Sequence, residues 1–194
     1  MCYHIDITIE GQQEEKNMTT KTERELDLDN LQQLQKAGKI SPDVNLEEIV
    51  GKLPKWRKRG DLSSKVAVAY YGRGCDLDKL VDDKDWYVRK SIAQRGRSKD
   101  LDKLVNDSRW QVRMAVAKQG RPQDLDKLVS DNDYVVRWEV ANRGRDCDLD
   151  KLVSDRDVQV RMAVAKQGRS KDLDILVNDP AIEVRNEVAA VTKG

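Results

Sequence analysis

The chain has 194 residues, 36 Lys/Arg against 35 Asp/Glu for a formal net charge of +1, and nearly equal hydrophobic and charged shares of 38% and 37%, with no Phe. Near-neutrality argues against the strongly basic footprint of a dedicated nucleic-acid binder, and the shortage of large apolar residues argues for a thin, layered core over one thick one. No apolar run approaches a membrane span, and the start MCYHIDITIE lacks the basic and apolar regions of a secretory signal, so a cytoplasmic location is expected and no membrane partner.

In chain order, YHIDITIE places Tyr3, Ile5, Ile7 and Ile9 on one face and His4, Asp6, Thr8 and Glu10 on the other. This is strand periodicity in a chain that shows no second strand. Residues 3–10 could add to a partner's sheet edge, pair two copies of the protein, or stay disordered. Residues 11–25 read as a linker. Residues 26–44, LDLDNLQQLQKAGKISPDV, offer a helix ending near Gly38 that would cap the N-terminal end of the remaining chain. Residues 1–44 are acidic, with 5 Lys/Arg against 9 Asp/Glu.

From residue 45 onward the chain repeats itself. DLDKLV begins at Asp76, Asp100, Asp124 and Asp148, and DLDILV begins at Asp172, giving units at 76–99, 100–123, 124–147, 148–171 and 172–194. QVRMAVAKQGR occurs twice, at 111–121 and 159–169. An earlier copy spans 45–75 and carries a seven-residue insertion. A fixed period with such identity is the signature of a solenoid, in which no unit buries its apolar face alone and neighbours cover one another.

Each unit parses into a short and a long helical piece. DLDKLV has room for barely one and a half turns, α or 3₁₀, with Leu and Val at i, i+3 and i+4. The Asp at the eighth position (Asp83, Asp107, Asp131, Asp155, Asp179) is expected to N-cap the long helix, with Pro180 at a first helical position. Gly96, Gly120, Gly144 and Gly168 are expected to close it. The fold class is therefore all-α, a solenoid of about six stacked two-helix repeats.

A 24-residue unit reading L-x-x-L-V-x-D followed by V-R-x-x-V-A, from Leu77, Leu80, Val88 and Arg89 through the later copies, resembles the leucine-rich repeat variant family, a relative of HEAT-like repeats. The resemblance covers 45–194 and implies a right-handed superhelix and an interaction role. Some family members carry an N-terminal iron–sulfur domain on clustered cysteines; only Cys2 precedes residue 75 here, so no cofactor is expected. HEAT-like folds also include DNA glycosylases, so a glycosylase-like enzyme, which would need a carboxylate and aromatics converging in the groove, stays as a third alternative, with no catalytic residue assigned. Cys75 and Cys147 are three repeats apart, on the order of 25–30 Å, so they share neither a disulfide nor a metal. His4 is the sole histidine, and no metal-ligand spacing or nucleophile–base pair forms around it. A non-enzymatic module is the expectation, with no catalytic and no metal residues.

Four sets of side chains are candidates for contact. Arg89, Arg113, Arg137, Arg161 and Arg185, with Lys65 first, fall on the apolar face of the long helix, where an unpaired charge is costly, so an Asp–Arg ladder is expected. Arg97, Arg121, Arg145 and Arg169 follow the closing glycines, as Arg73 does, and either offset the helix dipole or line up as anion donors. In DLDKLV, the first and third Asp and the Lys are expected to project between the apolar positions, a solvated face of mixed sign. At the fifteenth position Met114, Trp138 and Met162 lie between Lys90 and Asn186, with Val135 and Tyr87 one face over. That apolar stripe would suit another protein, or inter-repeat packing. Trp86 and Trp110 share the eleventh position with Tyr134, Val158 and Ile182, a row assigned to the core.

The insertion supplies the alternative partner. Residues 52–65 hold six Lys/Arg against Asp61, among them Lys55, Arg57, Lys58 and Arg59 around Trp56. Such a loop could grip a nucleic-acid backbone together with the Arg97, Arg121, Arg145 and Arg169 line, or be a solvated end cap.

Overall fold

The computed structural model describes residues 23–46, 61–72 and 74–193. The strand-like residues 3–10, most of the linker, Arg73 and the basic residues Lys55, Trp56, Arg57, Lys58 and Arg59 lie outside them.

Among the described residues the chain forms twelve helices and no strand: α1 (Glu23–Lys36), α2 (Asp61–Tyr71), α3 (Gly74–Leu80), α4 (Trp86–Arg95), α5 (Ser98–Leu104), α6 (Trp110–Gln119), α7 (Pro122–Leu128), α8 (Tyr134–Asn142), α9 (Asp146–Leu152), α10 (Val158–Lys166), α11 (Ser170–Leu176) and α12 (Ile182–Val191). The even-numbered helices from α2 to α12 stack each on the next as one continuous layer. Each short helix, α3 to α11, packs against the long helix before it and the one after it. The protein is an all-α repeat solenoid.

The core follows the repeat. On the long helices, Val88, Val112, Val136, Val160 and Val184 are fully buried, as are Ile92, Val116, Val140 and Val164 one turn on. The second position of DLDKLV is sealed too: Leu77, Leu101, Leu125 and Leu149 are 0–1% exposed. Together these form one cluster from Val66 to Val188. Burying a Leu or Val contributes roughly 1.5–3 kcal/mol, and each repeat brings several, which suffices only because the next repeat supplies the other wall. At the N-terminal end, Leu31 and Ile40 close over Ala67 as a second cluster, and Ile40 bridges Gly72. Helix α1 thus covers α2.

The long helices start later than the sequence suggested. Their N-caps are Asp85, Arg109, Asp133, Asp157 and Ala181, two residues beyond the eighth-position Asp. Where the cap is Asp, its carboxylate accepts from the N–H two residues on, as Asp133 does from Val135 at 2.9 Å. The eighth-position Asp is committed elsewhere: its own carboxylate holds the cap's N–H, at 2.8 Å from Asp85 to Asp83, and so bends the turn before the helix. Pro180 stands in that turn outside α12; it is Pro122 that occupies a first helical turn, in α7. The closing glycines behave as expected, with Gly96 and Gly120 at φ +78° and +71°. The short pieces are α-helical and begin two residues before DLDKLV.

Candidate functional site

Two ion-pair rungs cross each of the four joints from the unit 76–99 to the unit 172–194. In the first, the long-helix Arg reaches the eighth-position Asp of the next repeat with both oxygens engaged. Arg89 donates Nε–H and Nη2–H to Asp107 at 2.6 and 3.0 Å, and Arg113 does the same to Asp131 at 2.6 and 2.8 Å. Arg137 to Asp155 and Arg161 to Asp179 repeat it. Each Arg also donates from Nη1 to the carbonyl of its own repeat's eighth residue, as Arg137 does to Asp131 at 2.7 Å. Lys65 to Asp83 at 3.2 Å opens the series. The expected ladder is present, and its partner is the following copy.

The second rung decides what the Arg97, Arg121, Arg145 and Arg169 line can do. These residues sit at the N-cap position of the following short helix, directly after the glycine that follows the long one. Arg121 binds both oxygens of Asp124 at 2.5 and 2.7 Å, one oxygen of Asp102 at 2.7 Å, and the Ser98 carbonyl at 3.0 Å. Arg97 does likewise with Asp100, Asp78 and Gly74, Arg145 with Asp148, Asp126 and Pro122, and Arg169 with Asp172, Asp150 and Asp146. The first Asp of DLDKLV therefore does not project: Asp100, Asp124, Asp148 and Asp172 are buried under these guanidinium groups. A charged carboxylate tolerates burial here because two charge-assisted bonds replace its water.

Electrostatics follow the pairing. Hydrogen bonds to their aspartates raise Arg121 and Arg145 against the opposing cost of burial. Bonds from Lys99 and then Arg97 hold the Asp78 carboxyl below its usual range, and Lys171 and Arg169 help hold Asp150 there. A polyanion at this row would have to displace carboxylates that already fill most of the donors. The Asp at the third position of each motif and the Lys of the first four are exposed as expected, but Asp78, Asp102, Asp126 and Asp150 belong to the rung.

The apolar stripe is narrower than its sequence positions suggest. Met114 and Met162 are half-buried and pack on the core. Tyr87 is half-buried, edge-on to Trp86 at 5.7 Å and with Lys90 Nζ 5.5 Å from its ring, and Val135 is half-buried. Trp138 alone of the five is exposed, at 37%. The eleventh-position row splits: Trp86, Trp110 and Val158 pack against the core, while Tyr134 is 46% and Ile182 52% exposed. Tyr134 and Trp138 stand one turn apart on α8, between Met114 on α6 and Met162 on α10. A cleft of about 430 Å³ lined by Asn132, Asp133, Arg156 and Asp157 opens beside Tyr134. Sequence reasoning missed Tyr134 because its row looks like core, and only its one-turn spacing from Trp138 hinted otherwise.

Among the described residues no group of His, Cys, Asp and Glu could hold a metal ion, and no helix is long and apolar enough to cross a membrane. Cys75 and Cys147 are free and exposed.

No family model and no curated protein matches the sequence. A solved structure does: a leucine-rich repeat variant described as having a novel repetitive protein structural motif, similar with a TM-score of 0.66 and 25% identity over 89% of this chain and 77% of that one. A seven-residue helix alternates from α3 onward with one of nine or ten residues. With that likeness, this makes the chain a repeat solenoid of the leucine-rich repeat variant type.

Proposed function

We propose that the solenoid is a non-enzymatic protein-binding scaffold that anchors its partner on Tyr134 and Trp138. One observation carries this reading. Among the described residues, the exposed large hydrophobic side chains are Tyr134, Trp138, Ile175, Val177 and Ile182. The last three belong to the sixth repeat, so within the array this aromatic pair is the departure from an otherwise sealed apolar pattern. Large, rigid side chains with a polar tip bury much area at little entropic cost, which is why interfaces concentrate them. The half-buried Met114 and Met162 on either side supply adaptable contact.

The test is capture of a partner from native-host lysate with and without nuclease, using the wild-type protein and Trp138→Asp. Trp138 is not part of the sealed core, so the variant should keep its helical content and melting temperature within a few degrees. A partner retained after nuclease and lost from the variant is the expected result. Capture that collapses with nuclease, or survives Trp138→Asp and Tyr134→Asp alike, would overturn the reading.

A further inference from the structure

Helices α4, α6, α8 and α10 hold a single acidic residue between them, Glu139, which is buried and bound by Arg143 at 2.8 Å. Most cations of these helices are also committed. The ladder takes Arg89, Arg113, Arg137 and Arg161. Arg95 and Arg143 reach back to the preceding long helix, Arg95 donating to the Tyr70 and Gly72 carbonyls and Arg143 to that of Lys118 at 3.1 Å. Lys166 has Glu187 at 4.0 Å. Lys90 and Lys118 remain, and neither has a carboxylate partner among the described residues. They face each other across the joint between α4 and α6: burial and then the nearby charge of Lys118 push the Lys90 ammonium below its usual range. Lys118 stands in the last turn of α6, where a cation offsets the helix dipole. Lys90 stands in the middle of α4, where that account does not reach. Two like charges held close without a counter-ion repel, and an anion seated between them removes the repulsion.

We propose that Lys90 and Lys118 receive the carboxylate of an acidic segment of the protein partner, a segment whose apolar side chain lies on Met114 and Trp138. The inference rests on the partner-binding reading above and names that partner's chemistry. Lys90 holds the fifteenth position that Met114, Trp138 and Met162 hold in the next three repeats, and Lys118 is one turn on from Met114. The ammonium pair therefore closes one end of the apolar stripe, and the partner's acid lies about one or two repeats, on the order of 10–20 Å, from its apolar anchor. The rest of the face fixes the direction. Asp85, Asp133 and Asp157 stand at the N-cap ends of the long helices, so an acid is repelled from the Tyr134 end and drawn toward the C-terminal halves. A nucleic-acid backbone fits less well, because a run of phosphates along this face would meet those aspartates and find only two ammonium groups.

The probe is a library of random dodecapeptides displayed on phage, selected in parallel on the full chain and on its Lys90→Gln/Lys118→Gln variant. The wild-type protein should enrich peptides that combine Asp or Glu with Leu, Met or an aromatic residue, and the variant should not. Synthetic copies of the enriched peptides should bind more weakly as salt is raised. Lys90→Gln/Lys118→Gln should weaken them by about fivefold or more, while Lys90→Arg/Lys118→Arg keeps the affinity. Neither pair of changes removes an ion pair among the described residues, so both variants should melt within a few degrees of the wild type. Peptides that need Trp138 but ignore both lysines would overturn this inference and leave the aromatic anchor standing. Peptides that need the lysines but tolerate Trp138→Asp and Tyr134→Asp would support it and remove the anchor. A selection without acidic enrichment overturns it. So does tighter, lysine-dependent binding of a single-stranded DNA of about 20 nucleotides, which would give the face to nucleic acid.

Discussion

Arg137→Ala should be among the most damaging single changes in the array. Its side chain is 5% exposed and that of Asp155, its partner, 7%. It makes two bonds to Asp155 at 2.7 and 2.9 Å and two more to the Asp131 and Asn132 carbonyls at 2.7 and 3.2 Å. Truncation leaves a carboxylate and two carbonyls short of donors in a place water reaches poorly. Breaking one side of a buried ion pair costs about 3–5 kcal/mol, and the Asp155 turn that precedes α10 loosens with it. Arg97→Ala likewise strips both charge-assisted bonds from a buried carboxylate, that of Asp100 at 3% exposed, and only the Asp78 pair is left to solvent, so its loss should also reach about 3 kcal/mol. Urea unfolding followed by circular dichroism at 222 nm gives both numbers. A cycle with Asp155→Asn should show a coupling of about 2 kcal/mol or more for Arg137. A loss below about 1 kcal/mol for Arg137→Ala would refute the view that the buried rung holds the joint.

The same geometry sets two further outcomes. Burial pushes the Asp155 carboxyl up, but bonds from Arg137 and the Asp157 N–H outweigh it and leave it low, and the Arg161 bond leads in lowering Asp179. Depressed folded-state carboxyls contribute stability that is complete above the unfolded value near 4 and lost as pH falls through the folded values. Unfolding free energy measured in urea should therefore be steady from pH 7 to about 4.5 and drop below about 4; a protein as stable at pH 2.5 as at pH 6 would contradict this. Gly120→Ala and Gly144→Ala both force a side chain into φ +71°, which costs about 1–2 kcal/mol. The added Cβ at Gly144 would also lie 2.7 Å from Gln167 Oε1 while that at Gly120 meets only Arg143 Cδ at 3.6 Å, so Gly144→Ala should melt no higher than Gly120→Ala.

Much of the fold was legible because the sequence states it several times. Leu101, Val112 and Gly120 each recur at fixed spacing, and periodicity plus a left-handed closing residue define helices without tertiary knowledge. The N-caps were misread because Asp131 and Asp133 are equally good caps in isolation. Only the position of Arg113, reaching over from the preceding repeat, takes Asp131 out of contention. The buried Asp124 was missed for a related reason: an Asp beside a Leu reads as solvent-facing until Arg121, three residues earlier, is placed above it. The anion-donor reading of the Arg line weakened on the same fact. The candidate site was legible in Trp138 but not in Tyr134, since residues at one repeat position, Trp110 and Tyr134, differ in exposure.

Because the two rungs use the same unit positions at joint after joint, each joint is interchangeable with the others. Excising one 24-residue unit, or copying one in frame, would bring an unaltered guanidinium against an unaltered carboxylate at the new seam. The length of the array is thus a variable that inheritance can change in whole steps without redesigning any contact. The identity of 111–121 and 159–169 is what such a history of copying would leave behind.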